Sequence, residues 1–108
     1  MIRDFAEEIR EELNDAEHYA MQAERYKDKD QAVSSLYSDL ANQELMHMDR
    51  LHSQAKDHIQ KAMKDGAQVP AGMAEAWELE HQMAVKQEAK VRMLLENQIG
   101  RASCRERV

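Results

Sequence analysis

Three observations make this chain an all-α antiparallel bundle of three long helices. Charged residues are 33% of its 108 positions and aromatic ones 5%, with 8 Met against 3 Gly and 1 Pro, the balance of long amphipathic helices rather than of strands and tight turns. Apolar residues recur at alternating spacings of three and four over most of the length, the period of a helix face. Two stretches, Lys27 to Asp30 and Asp65 to Gly72, break that period with charged residues, Gly and Pro, which stop helices. A chain of this length builds one domain with one modest core.

The first helix is predicted from Ile2 to about Lys27. Ile2, Phe5, Ile9, Glu12, Ala16, Tyr19, Ala23 and Tyr26 lie on one face, and Glu12 is the only charged member. A bare carboxylate in an apolar seam is costly to bury without a partner, so Glu12 asks for an explanation that Glu7, Glu8 and Glu11 on other faces do not. Asp28 or Asp30 can cap the next helix by accepting from its free N–H groups. The turn is short, so the second helix should return antiparallel to the first.

The second helix is predicted from about Gln31 to Lys64. Its inward stripe is Val33, Tyr37, Leu40, Glu44, Leu51, Ala55 and Ala62, with Leu36, His47 and His58 beside it. A flanking row of Ala41, Leu45, Met48, His52, Ile59 and Met63 widens the apolar surface and implies a further neighbour or an oligomer face. The third helix starts near Ala71 and continues to at least Gln98. Its stripe is Met73, Trp77, His81, Ala84, Glu88, Val91 and Leu95, apolar except for two potential metal ligands.

The last ten residues, Ile99 to Val108, look like one reading frame of a common sequencing-library adapter. The helical domain is therefore expected over 1–98, with 99–108 as a non-native tail and the true C-terminus missing. Leaving out that tail, with three Arg and one Glu, moves the net charge from -6 to -8. Such acidity excludes a nucleic-acid or anionic-membrane surface, which needs a concentrated basic stripe, and suits cation capture. No apolar run approaches a membrane span and the N-terminus lacks the apolar block of a signal peptide, so the expected address is cytoplasmic. A single Cys cannot form an internal disulfide.

Counting along the helices tests whether the candidate ligands meet. At 1.5 Å rise per residue from a turn centred near Lys29, Glu12 lies roughly 25 Å away, Glu44 about 22 Å and His47 about 27 Å. All three then share one level and the inward sector of two antiparallel helices. A carboxylate from one helix and Glu-x-x-His from its neighbour are half of a carboxylate-bridged two-metal site, because carboxylates bridge hard cations while an imidazole fixes one terminally. The same count places Glu88 near the level of Met48 and Asp49, and Glu78-Leu79-Glu80-His81, a second Glu-x-x-His, near His58. His81 and Glu88 are the further metal candidates, although a packing role suits His81, Glu78 and Glu80 better. His52 and His58 are expected as hydrogen-bonded core or boundary residues and His18 as a surface one. The motif alone says little, since 13 Glu and 5 His in 108 residues give roughly half a match by chance.

Glu12 followed seven residues later by Tyr19, then Glu44-Leu45-Met46-His47, resembles the ferritin-like superfamily in its rubrerythrin-type and short encapsulated-ferritin-type versions. Glu11-Glu12-Leu13 and Lys27-Asp28-Lys29 echo the short encapsulated members, and the likeness covers about residues 8 to 60. The resemblance implies a four-helix bundle with a di-iron centre, manganese being the other metal to consider, that oxidises ferrous iron or reduces peroxide as an oxidoreductase. It implies Glu12 and His47 as terminal ligands, Glu44 as the bridging ligand and Tyr19 as a group hydrogen-bonded behind them. The pattern departs from a full-length member in having no fourth helix and too short a connection between the second and third helices. A lost C-terminal half, or a homo-oligomer of two chains giving half-sites, would complete it. The rival expectation is a non-enzymatic helical interaction protein, of the kind a phage or mobile element encodes, with a degenerate metal site.

Overall fold

Three helices and no strand make up the described chain. The computed structural model describes the backbone of residues 2–66 and 71–106. Helix α1 spans Ile2–Tyr26, α2 Gln31–Lys64 and α3 Ala71–Glu106, so the predicted ends of the first two hold to within a residue. Asp30 caps α2, its carboxylate accepting from the Val33 backbone N–H at 3.2 Å. At the other end Gly66 takes a positive φ of 77°, the left-handed turn in which glycine avoids a steric cost. The rest of that connection, 67–70, lies outside the described residues, as do 107–108 of the predicted tail.

The contacts fix the directions. Pairs such as Glu12 with His47 and Ala23 with Ser34 run in opposite order, so α2 is antiparallel to α1. Arg10 with Glu80, Asn14 with Gln87 and Glu17 with Lys90 run in the same order, so α3 is parallel to α1. The molecule is a rod of 60 × 21 × 17 Å, an all-α bundle with α1 packed on both other helices.

Its core is small and rich in alanine. Ile9, Leu13, Ala16 and Ala20 of α1, Ala41, Leu45 and Met48 of α2, and Val91 and Leu95 of α3 form one buried cluster. Alanine at 16, 20 and 41 leaves no side chain to hold the backbones apart, so the helices approach closely and Leu13 and Val91 fill what space remains. Ser34 is buried with them and donates its hydroxyl to the Ala23 carbonyl at 2.7 Å, the partner a buried hydroxyl needs.

The core is turned from the expected stripes. In α2 both rows contribute: Ala41, Leu45 and Met48 of the flanking row and Ala55 of the inward stripe are buried, while Val33, Tyr37, Leu40, Glu44 and Leu51 of the stripe are half-buried. In α1, Leu13 and Ala20 enter the core and Glu12, Tyr19 and Tyr26 stand at its edge. Leu36 and Met63, placed near the seam by periodicity, are 56% and 66% exposed. The cause is α3: it covers one side of the α1–α2 pair, so residues facing it bury most and those facing the other side stay near solvent. The predicted α3 stripe fares better, with Val91 and Leu95 buried and Trp77, His81, Ala84 and Glu88 half-buried.

Candidate metal centre

On the side of the α1–α2 pair away from the core, three of the predicted ligands come together. Glu12, Glu44 and His47 each offer one donor atom, and these atoms all lie within 4.8 Å of one another. His47 Nδ1 stands 3.6 Å from Glu12 Oε2 and 3.9 Å from Glu44 Oε2. The local sequence explains the meeting: Glu44 and His47 are one helical turn apart on α2, and α1 runs past them antiparallel with Glu12 at the same height. The side chains of Glu12 and Glu44 are 28% and 20% exposed and that of His47 55%, so the carboxylates reach inward and the imidazole stands at the mouth.

Glu12 Oε2 is buried and has no hydrogen-bond partner. Leaving such an oxygen unsatisfied costs on the order of 1–3 kcal/mol, and the nearest nitrogen is too far for a hydrogen bond. Two donors on one metal ion lie at most about 4.2 Å apart, twice a bond of about 2.1 Å. The two His47 distances already satisfy that limit, and the whole cluster needs only a small side-chain closure. Two carboxylates and one imidazole therefore fit a divalent transition metal. The cluster opens into a cleft of about 570 Å³ lined by Glu8, Glu12, His47, Asp49, Arg50, Leu51, Ser53 and Gln54.

The other candidates go elsewhere. Glu88 does not join the cluster: its carboxylate is held by Arg92 at 2.7 Å, and Arg92 reaches on to Asp49 at 3.7 Å. His81 does not meet His58. It stands against His52, with His52 Nε2 and His81 Nδ1 3.0 Å apart, because the level estimate could not foresee how the connection sets the height of α3. His58 is exposed rather than core, its ring 5.8 Å from Phe5, and His18 is exposed as expected. The Tyr19 ring lies 6.1 Å from that of Tyr37 and 5.7 Å from that of His18.

Sequence reasoning missed the polar frame around α3. Gln87 and Lys90 converge on Glu17, at 2.9 and 2.6 Å, and hold its carboxyl below the ordinary carboxylate range, with Lys90 first and Gln87 second as causes. His52 is pushed below the usual imidazole range, first by burial, then by the charges of His81 and Lys56, with Asp49 and Glu88 pulling the other way. Helical period shows that these residues share a face but not which residue lies opposite.

Both shifts give acid sensitivity of one sign. Unfolded, His52 takes a proton near about 6.5 and folded it resists, so stability is fully present above that value and falls as pH drops through it. The Glu17 contribution is present above the ordinary carboxylate range and is lost as pH falls through its folded value. The melting temperature should therefore be flat above about pH 7 and decline on acidification in two steps. The upper step should be absent in His52→Gln; an unchanged upper step would assign it to another group.

Compared with known protein families, curated proteins and solved structures, the chain matches none. The class that fold and site define is thus stated from the chain itself: an all-α bundle carrying a Glu–Glu–His cluster on its open face. Among the described residues no helix is long and apolar enough to cross a membrane.

Proposed function

We propose that this chain is an iron-binding protein of the ferritin-like kind, in which Glu12, Glu44 and His47 hold iron and ferrous iron is oxidised or peroxide reduced. The observation that carries the reading is the convergence of Glu12, Glu44 and His47, whose donor atoms lie within 4.8 Å of one another, with Glu12 Oε2 withdrawn from water and without a hydrogen-bond donor. A cation is the partner it lacks, and a mixed carboxylate and imidazole set suits iron, with manganese next. A redox-active metal, when bound, supplies the one-electron chemistry that no side chain of the cluster provides. The chain's own residues would do the rest: Glu12, Glu44 and His47 would hold the metal, in the roles the resemblance gives them, and the cleft beside His47 would admit small ions and peroxide. One Glu and one Glu-x-x-His are half of a two-metal ligand set, so the reading includes a second copy of the chain giving the other half, and a homo-oligomer as the working form.

Calorimetric titration of metal-free protein with ferrous iron under anaerobic conditions tests it. The expected result is stoichiometric binding that Glu12→Ala abolishes while helicity by circular dichroism stays unchanged; binding unaltered by the substitution overturns the assignment. A second reading, a helical interaction protein without redox activity, draws on the exposed side chains of Met46, Leu79, Met83 and Met93, each 58–64% exposed. It predicts metal-free protein that assembles and melts like metal-loaded protein, and a metal-dependent rise in melting temperature counts against it.

A further inference from the structure

The geometry points to a second metal site, separate from the carboxylate cluster, in which His52 Nε2 and His81 Nδ1 together hold a divalent ion of tetragonal preference, Cu²⁺ foremost and Ni²⁺ next. It does not depend on the iron reading. The two nitrogens come from different helices and face each other at 3.0 Å. Two imidazoles bound at about 2.05 Å lie about 2.9 Å apart at a 90° angle and about 3.3 Å apart at a tetrahedral one. The observed spacing matches the first, the cis pair of a square-planar or tetragonal ion, which nitrogen and oxygen donors select for Cu²⁺ or Ni²⁺.

Two further features prepare the pair. The His52 ring lies between two others, 4.7 Å from the His81 ring and 6.2 Å from the Trp77 ring, within 16° of parallel to both, so its direction is set by packing before any ion arrives. Binding then needs only a tautomer change: the ring whose facing nitrogen carries the hydrogen moves it to its other nitrogen, and no net proton is released. A cavity of about 200 Å³ touches both histidines, leaving room for the water molecules that complete four- or six-fold coordination.

The site would clamp α3 to α2, which touch each other far less than either touches α1. Trp77, the only Trp of the chain, gives a direct readout because paramagnetic Cu²⁺ quenches indole fluorescence at this range. Metal-free Glu12→Ala/His47→Ala protein, in which the carboxylate cluster no longer competes for the ion, is expected to lose Trp77 emission on titration with Cu²⁺ with saturation at one equivalent, and the wild type is expected to lose the same emission while taking up further Cu²⁺ at the carboxylate cluster. In His52→Gln and in His81→Gln the apparent affinity should fall by more than about tenfold, the lower end of what losing even a supporting group costs. Electron paramagnetic resonance of the Cu²⁺ protein should show hyperfine coupling to two nitrogens, a wild-type measurement that decides the matter if a variant fails to fold. Absence of quenching in the wild type overturns the proposal, as does quenching undiminished in both glutamine variants or coupling to fewer than two nitrogens.

Discussion

Leu13→Ala is expected to destabilise the fold by about 2–5 kcal/mol, the range for truncating a buried leucine. Leu13 is 1% exposed and, with Val91, one of the two largest side chains that are fully buried. It touches the cluster formed by all three helices and also lines the cavity against Trp77 and Ala84. The surrounding alanines have no flexible side chains with which to fill the space, so the site cannot collapse and the cavity remains. A domain of this size has a total stability of about 5–15 kcal/mol, and the loss is a large part of it. The melting temperature should drop by about 10 °C or more. Leu13→Met, which keeps the volume, should cost less than about 1.5 kcal/mol. A drop of under about 2 °C for the alanine variant would mean that the core does not rest on this residue.

Helix ends and the meeting of Glu12, Glu44 and His47 were legible because both depend on local sequence. Lys27 to Asp30 interrupts a period, Asp30 has the side chain a cap requires, and the observed α2 begins at Gln31. Glu12, Glu44 and His47 could be brought together by rise per residue alone, since a short turn fixes the height of α2 against α1. The position of α3 was not legible in that way. Its connection to α2 passes through 67–70, whose path no period describes, and the expected meeting of His81 with His58 became one with His52. The same gap hid Leu13 and Ala20. A three–four stripe identifies a face to within one residue position, and only the side on which the third helix lies decides whether Glu12 or Leu13 is innermost.

That rotation has a functional consequence. Had the core centred on the predicted seam, Glu12 and Glu44 would be closed in by apolar side chains, and two carboxylates without an exit would carry a heavy desolvation cost. With α3 on the opposite side, the cluster lies at the edge of the core: its carboxylates are partly shielded, and its imidazole is 55% exposed beside a cleft. Shielding strengthens the attraction of the carboxylates for a cation, and the opening leaves a way in.

Glu12→Leu should therefore divide stability from metal response. Stripped of metal by a chelator, the variant is expected to be more stable than the wild type by about 1–3 kcal/mol, because it removes a buried oxygen that has no donor and adds apolar surface beside Leu13. With metal present at about a hundred times its dissociation constant, the wild type gains about 2.7 kcal/mol and the variant nothing, so their order of melting temperatures should close or reverse. Thermal melts of both proteins with chelator and with added iron measure all four states. A metal-free variant less stable than the wild type would show that the Glu12 carboxylate holds the helices together without an ion. The cluster would then be a structural polar contact between α1 and α2, and the cost that implies a missing cation would not exist.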